Sequence, residues 1–85
     1  MNEEQFIAVE QDKLDKALIA DLDRIEHYGF LRSKFKTETL LINNLIELSS
    51  PRPGFPYNHY KLTDEGRQQQ VLAKARRQAA LQLAL

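Results

Sequence analysis

The chain has no cysteine and no tryptophan, and it contains only three glycines and three prolines. Without cysteine, neither a disulfide framework nor a thiolate metal site can form. No apolar run approaches the roughly 18 residues of a membrane span, and no basic-then-apolar leader opens the chain. We therefore expect a soluble cytoplasmic protein that does not associate with a membrane. Its 85 residues suffice for a single domain with one modest core.

Groups typical of catalysis or of cofactor binding are also missing from the sequence. The two histidines, His27 and His59, have no spacing that would pair them as metal ligands. The chain contains no glycine loop of the kind that holds phosphates, and no paired nucleophile and base. We expect no enzymatic activity, no catalytic residue, no metal and no cofactor.

Charge is distributed unevenly along the chain, although the formal net charge is zero. Residues 1–30 contain eight acids and three bases, whereas residues 31–85 contain nine bases and four acids. Such polarity favours a molecule of which one part faces a polyanion and another does not. The acidic first segment is either an ordinary solvated surface or a docking face for a partner protein.

The first part of the chain has the periodicity of a helix. Apolar side chains recur every three or four positions from Leu14 to Ile25, which predicts a helical segment within residues 1–28. Its phase changes near Gln11-Asp12, so we expect a break there. Gly29 is the expected helix stop, in a left-handed conformation.

A second helix is predicted over residues 37–48, with Thr37 as its cap. Leucines and isoleucines cover a broad face of this helix, which indicates packing against the core. We also expect Phe35, in the basic segment that precedes it, to reach the core. The polar positions of the helix are expected to face solvent: Thr39, Asn43, Asn44 and Glu47.

Residues 49–62 have the composition of a hairpin. All three prolines and one glycine lie within residues 51–56, which forbids a helix there and favours a constrained hairpin tip. Along the returning strand, Tyr60 and Leu62 fall on one face at period two. The returning strand then passes directly into a final helix.

The segment YKLTDEGR, residues 60–67, contains the signals for that passage from strand to helix. Thr63 stands where an N-cap is expected, and two acids follow it in the first turn. Gly66 lacks a side chain, so another backbone segment can lie close to the start of the helix. The final helix is predicted over residues 63–85.

This segment, preceded by a helix and a proline-rich hairpin, resembles the pattern Y-x-L-T-x-x-G-R that closes the wing in winged-helix regulators of the MarR and PadR families. The resemblance covers about residues 37–70. It implies a mostly α fold with a small β-hairpin, namely a winged helix-turn-helix with a long C-terminal helix, in one domain over residues 1–85. Helix 37–48 then takes the place of the recognition helix. The alternative is a hairpin and a capped helix in another small α+β fold.

The resemblance also implies a function, that of a small sequence-specific transcriptional regulator that binds double-stranded DNA as a homodimer. Cations are expected to contact phosphates, and polar side chains of the second helix to contact base edges. The candidate DNA-binding residues are Arg32, Lys34, Lys36, Thr37, Thr39, Asn43, Asn44, Arg52 and Lys61. The candidate dimerisation stripe on the last helix comprises Leu72, Ala75, Ala79 and Leu83. Alternatively, this helix folds back on its own domain.

A second function is compatible with the same fold. Winged-helix modules also serve as protein-interaction factors, as in phage or plasmid proteins that bind host machinery without binding DNA. Such a factor would use the acidic first segment or the tip of the hairpin. The aromatic residues Phe55 and Tyr57 are held by neighbouring prolines there and favour protein contacts.

Overall fold

A computed structural model of the chain describes residues 3–84, and the side chains of residues 10–82. Three helices and one antiparallel two-stranded sheet are present: α1 Glu3–Tyr28, α2 Lys34–Ile42, β1 Ile46–Ser50, β2 His59–Leu62 and α3 Asp64–Ala84. The fold is therefore mostly helical with a small hairpin, as the sequence predicts. Within the described part of the chain, no helix combines the length and the apolar character that crossing a membrane requires.

Helix α1 is continuous, so the predicted break near Gln11-Asp12 is wrong. The two polar side chains at that point have partners. The Gln11 amide donates a hydrogen bond to Asp15 at 3.0 Å, and Asp12 pairs with Arg77 of α3 at 3.1 Å. They therefore support the helix pair instead of interrupting α1. As predicted, the helix ends at Gly29, whose φ is 84°.

Helices α1 and α3 pack side by side along their length. Four ion pairs join them: Asp12–Arg77, Asp15–Arg76, Asp23–Lys74 and Glu26–Arg67, with N···O distances of 3.1, 2.8, 3.1 and 3.7 Å. Because the partner positions fall along α3 as they rise along α1, the two helices run antiparallel. Ala73 is fully buried between them, and its small side chain permits the close approach of the helices.

Helix α2 begins earlier than predicted, at Lys34 instead of position 37. Its cap is Ser33, whose hydroxyl accepts a hydrogen bond from the Lys36 amide at 3.2 Å. Thr37 lies one turn inside the helix, where its hydroxyl donates to the Ser33 carbonyl at 2.9 Å. The prediction that Thr37 caps this helix is therefore wrong.

Helix α2 also ends earlier than predicted, at Ile42 instead of position 48. Asn44 adopts a left-handed conformation, with φ 59°, and its amide donates to the Leu41 carbonyl. The next amide, that of Leu45, reaches back to the Leu40 carbonyl at 2.9 Å. These two bonds form a Schellman motif, which satisfies the last carbonyls of the helix and turns the chain into β1.

The predicted hairpin is present, but its first strand begins at Ile46 instead of position 49. Ile46 pairs with Leu62 and Leu48 with Tyr60, and the register shifts between Leu48 and Ser50. Leu62 is buried and Tyr60 packs against the same core, so these two residues share the inner face, as predicted.

The start of α3 is fixed against the turn between α2 and β1. The Thr63 hydroxyl accepts a hydrogen bond from the Gly66 amide at 2.9 Å, and the Thr63 amide donates to the Leu45 carbonyl at 3.1 Å. A Cβ atom at position 66 would overlap that same Leu45 carbonyl. Thr63 is therefore the cap of α3, and Gly66 permits the close backbone approach that the sequence predicts.

The core lies at one end of the molecule, where the second half of α1 meets α2 and the hairpin. Its buried residues are Leu22, Ile25, Leu31, Leu40, Leu45, Ile46 and Leu62. The α1–α3 pair extends away from this core, which gives the molecule dimensions of 50 × 20 × 19 Å.

Candidate nucleic-acid interface

The charge polarity of the sequence is largely neutralised inside the fold. All four cations of α3, namely Arg67, Lys74, Arg76 and Arg77, pair with carboxylates of α1. The acidic first segment and the basic last segment therefore face each other. Within the described residues, α3 therefore presents no basic face to a polyanion, and an interface of that kind requires the cations outside α3.

Asp15 is the central group of the α1–α3 contact. Its carboxylate is buried, and it accepts hydrogen bonds from Arg76 Nε at 3.0 Å and from Arg76 Nη2 at 2.8 Å. A further bond comes from the Gln11 amide. The hydrogen bonds from Arg76 outweigh the opposing effect of burial, so the pKa of Asp15 lies below its usual value.

This lowered pKa predicts a pH dependence of stability. Because the folded state favours the Asp15 carboxylate, its contribution is complete above the unfolded pKa of about 4 and is lost as the pH falls through the folded value. Asp15→Asn is expected to lower the free energy of unfolding by about 1–2 kcal/mol at pH 7. In urea titrations near pH 3, the difference in free energy of unfolding between Asp15→Asn and the parent protein should be smaller. Asp12→Asn alters the more exposed Asp12–Arg77 pair, so it should lower the free energy of unfolding by a smaller amount at pH 7. An undiminished difference near pH 3 would contradict this assignment.

Several cations outside α3 have no acidic partner among the described side chains: Lys16, Arg24, Arg32, Lys34 and Arg52. Lys16 stands apart, near the middle of α1. The other four lie in the last turns of α1, in the turn to α2, at the start of α2 and in the hairpin loop. All of these segments adjoin the core at one end of the molecule.

Contacts between the hairpin loop and the start of α2 bring these segments together. Lys34 lines a depression of about 290 Å³ together with Tyr57 and Asn58 of the loop. The Asn58 side chain accepts a hydrogen bond from the Arg52 amide at 3.4 Å. The ring of Phe30 stacks on Tyr57 with centroids 5.1 Å apart. The hairpin loop and the start of α2 therefore border one depression, while the Arg52 guanidinium lies over the Phe55 ring of the same loop, 6.0 Å from its centroid.

Two of the predicted phosphate contacts already have acidic neighbours. Lys36 lies 3.6 Å from Asp21, and Lys61 lies 3.5 Å from Glu47. Both lysines are largely exposed, and exposed ion pairs contribute only about 0–1 kcal/mol. These pairs can be exchanged for phosphate contacts, but their charge is partly compensated in the free protein.

The next group of predicted DNA contacts consists of polar side chains of α2. Thr37 is only 8% exposed, so it is a buried helix residue whose side chain offers little surface for the predicted contact with DNA. Thr39 is exposed, although its hydroxyl donates to the Phe35 carbonyl at 2.9 Å. Of the polar residues predicted to line the second helix, Thr39 is the one that stands on the exposed surface of α2 itself.

The side chains of Asn43 and Asn44 form hydrogen bonds at the end of α2. The side-chain amide of Asn43 donates to the Thr39 carbonyl at 2.8 Å, and the side-chain amide of Asn44 donates to the Glu65 carboxylate at 3.2 Å. Both residues follow the last helical residue, Ile42, so the prediction that they lie on the exposed face of a helix is wrong. The sequence signal for this role was an asparagine at the position after the cap, which tolerates left-handed backbone.

The exposed surface of α2 is more apolar than predicted. Phe35 is 78% exposed and Ile42 is 83% exposed, one on each side of Thr39. Seven positions separate Phe35 from Ile42, so both side chains lie on one helix face. The expectation that Phe35 reaches the core is wrong. Sequence periodicity did not reveal this face, because it assigned every apolar side chain of the segment to the interior.

The predicted dimerisation stripe lies on a face of α3 that does not contact α1. Leu72, Ala75 and Ala79 are exposed, whereas Gln70 and Ala73 are buried toward α1. The side chain of Leu83 lies outside the described residues. Helix α3 thus folds back on its own domain with one face, as the alternative prediction holds, and leaves the apolar stripe uncovered in the monomer.

Comparison with known proteins gives no match: neither a family model, nor a curated protein, nor a solved structure matches the chain. Among the described residues, no group of three or more His, Asp or Glu side chains is placed to hold a metal ion. The surface that stands out is the end of the molecule with its cations and aromatic rings, and its chemistry suits an anionic ligand.

Proposed function

We propose that the chain is a DNA-binding protein of the winged-helix type, a small transcriptional regulator that contacts double-stranded DNA with one end of the molecule. The observation that carries the proposal is that Arg32, Lys34 and Arg52, in segments at one end of the molecule, have no acidic partner among the described side chains, while the cations of α3 are neutralised by α1. The order of a helix, a short turn, a second helix, a hairpin and a long helix also matches the later part of a winged-helix domain.

The start of α2 is the expected centre of attraction for phosphate. Helix N-termini carry partial positive charge and usually have acids in the first turn. The first turn of α2 has no acid, and Lys34 and Lys36 occupy it instead. Lysines there repel the helix dipole in the free protein, and a bound phosphate would remove this repulsion. Arg52, on the hairpin loop, would contact the adjacent phosphate or minor groove.

Sequence selectivity rests on few groups in this arrangement. Thr39 is exposed on α2, and its hydroxyl can contact either base edge or phosphate. Asn43 and Asn44 are engaged at the helix end and contribute to shape instead of readout. About three phosphate contacts per protomer predict a slope near −3 for each half-site in a plot of log affinity against log salt concentration, and about twice that for a dimer on two half-sites.

A homodimer completes the proposal. The stripe of Leu72, Ala75, Ala79 and Leu83 is expected to pair with the same stripe of a second copy, because small side chains let two helices approach closely. The exposed side chains of this stripe carry no charge that would oppose pairing. A dimer with a two-fold axis would bind two half-sites of a palindrome.

The test is binding of a mixed-sequence duplex by the double variant Arg32→Glu, Lys34→Glu. Because two of about three phosphate contacts become repulsive, we expect an affinity loss of at least about tenfold at moderate salt. Lys16→Glu is the matched control, since Lys16 is another exposed cation of the described chain without an acidic partner. Mobility shift or fluorescence anisotropy measures the affinity.

The dimer has a test of its own. Sedimentation of the same samples should give twice the 9.9 kDa mass of one chain.

Two results would contradict the proposal. One is the absence of duplex binding at any salt concentration, and the other is an equal loss for the double variant and for Lys16→Glu. A sedimentation mass of one chain would overturn the dimer while leaving the DNA contact to be judged by its own measurement.

A second candidate function is supported by the exposed apolar face of α2. Phe35 and Ile42 would anchor a partner protein, such as a host factor, in the place where a DNA groove is expected to lie. Large exposed apolar side chains on one face are typical of protein contacts. This function predicts that the wild-type chain does not bind duplex DNA in the assay described above.

A further inference from the structure

A depression of about 420 Å³ lies beside the proposed duplex-binding surface, at the end of α1. Its lining consists of Arg24, Tyr28, Phe30, Leu31 and Arg32. Two arginines and two aromatic residues thus line it, and no carboxylate of the described part of the chain does. The volume falls within the range of sites for small ligands.

The aromatic rings of the lining are held by contacts with neighbouring rings. Arg24 and Tyr28 are one helical turn apart, so both project from the same face of α1. The ring of His27 packs edge-on against Tyr28, with centroids 4.6 Å apart. The Phe30 ring is fixed by its stacking on Tyr57. The depression therefore combines a rigid aromatic wall with Arg24, whose guanidinium has no acidic partner among the described residues.

The turn that joins α1 to α2 is itself anchored. The Gly29 carbonyl accepts a hydrogen bond from the Tyr60 amide of β2 at 2.6 Å. Because Phe30, Leu31 and Arg32 follow directly, their backbone is fixed relative to the hairpin.

The chemistry of the lining suits a nucleotide. Guanidinium groups bind phosphate through paired hydrogen bonds, and the exposed ring of Tyr28, 61% accessible, offers a face on which a base can stack. In a duplex, the faces of the bases are already stacked on their neighbours. Away from the two ends of a duplex, a base that stacks on Tyr28 has to be unpaired.

We propose that this depression binds a nucleotide unit with an unpaired base, supplied by a single-stranded nucleic acid. Leu31 lines both this depression and the one that contains Lys34, so the two surfaces are continuous. A strand that leaves a duplex held by α2 would reach Arg24 and Tyr28. The inference goes beyond the proposed duplex binding and does not require α2 to enter a groove.

The test measures the affinity of the full chain for a labelled oligothymidylate of about ten nucleotides, a length that spans a typical single-strand site. Tyr28→Leu removes the stacking face, and Arg24→Ala removes a phosphate contact. Each is expected to weaken binding about fivefold or more. Arg24→Ala should also reduce the salt slope by about 0.7, the value for one contact to a single strand.

Two control variants distinguish effects at the depression from the general effects of removing an aromatic ring or a cation. Phe35→Leu removes an exposed aromatic ring that does not line the depression, and Lys16→Ala removes an exposed cation elsewhere on α1. Neither should change the affinity for oligothymidylate. The four altered side chains are exposed, so circular dichroism should show unchanged folding in each variant. Mixed-sequence duplex should bind Arg24→Ala and Tyr28→Leu as it binds the parent, which distinguishes this site from the proposed duplex surface.

Competition with thymidine monophosphate identifies the source of the nucleotide. Displacement of the oligonucleotide only at far higher concentration supports a single strand as the ligand, whereas equally effective displacement overturns the single strand in favour of a free nucleotide. The proposal is overturned as a whole by absence of oligothymidylate binding, or by equal losses in the two site variants and their controls.

Discussion

Replacing Gly66 by valine is expected to unfold the protein. The Cβ atom of any other residue would overlap the Leu45 carbonyl, and this obstacle is backbone that cannot rotate away. The same carbonyl accepts the Thr63 amide, so moving it would also break the cap contact between α3 and the α2–β1 turn. We expect the free energy of unfolding to fall by about 3 kcal/mol or more, which is a large share of the stability of a domain of this size.

A valine elsewhere on the same helix is the control for this change. Gln68 is exposed and lies two residues further along α3. Because valine has a lower helix propensity than glutamine, Gln68→Val should lower the free energy of unfolding by only about 0.5 kcal/mol. Far-ultraviolet circular dichroism and urea titration measure both variants. If Gly66→Val retained the parental unfolding midpoint, the close contact between α3 and Leu45 would be wrong.

Leu22→Ala is expected to have the next largest effect on stability. Leu22 is fully buried, in the cluster that α1 forms with α2 and the hairpin. Truncation of such a leucine removes its transfer free energy and leaves a cavity, which together cost about 2–5 kcal/mol. The measurement is again the urea midpoint, with the slope of the transition checked for two-state behaviour.

Leu14 provides a control with the same chemical change on the same helix. It is 65% exposed, so Leu14→Ala should lower the free energy of unfolding by less than about 1 kcal/mol. Equal shifts for the two variants would show that α1 does not bury the face assigned to it here.

The sequence predicts the elements best where a local signal has one interpretation. Gly29 ends α1, Thr63 caps α3 and the prolines of residues 51–56 exclude a helix, each for a reason confined to a few neighbours. Gly66 was predicted to permit a close backbone approach, and the structure supplies the partner, Leu45. Such signals act through backbone geometry, which tertiary packing seldom overrides.

The prediction failed where two periodicities fit the same apolar residues. Between Leu40 and Leu48, apolar positions suit a helix, but Ile46 and Leu48 also suit a strand at period two. The deciding signal was Asn44, whose left-handed backbone ends α2. Assigning Asn44 to the exposed face of a helix, as a candidate DNA contact, extends that helix through residues that form β1.

The candidate interface stays a prediction. Arg32, Lys34 and Arg52 are candidates from the sequence, and in the structure Lys34 borders a depression together with Asn58 of the loop to which Arg52 belongs. The sequence did not reveal that the cations of α3 are neutralised, because their partners on α1 are 41 to 65 residues away. Sums of charge over segments contain no information about which helices become neighbours.

The antiparallel pairing of α1 with α3 has a consequence for encounters in solution. A polyanion that drifts toward the long sides of the molecule meets alternating charges whose fields largely cancel within a Debye length. At the end with the uncompensated arginines and lysine, the field is attractive. The proposed duplex binding therefore favours end-on collisions, in which the 50 Å long axis of the molecule points toward the duplex.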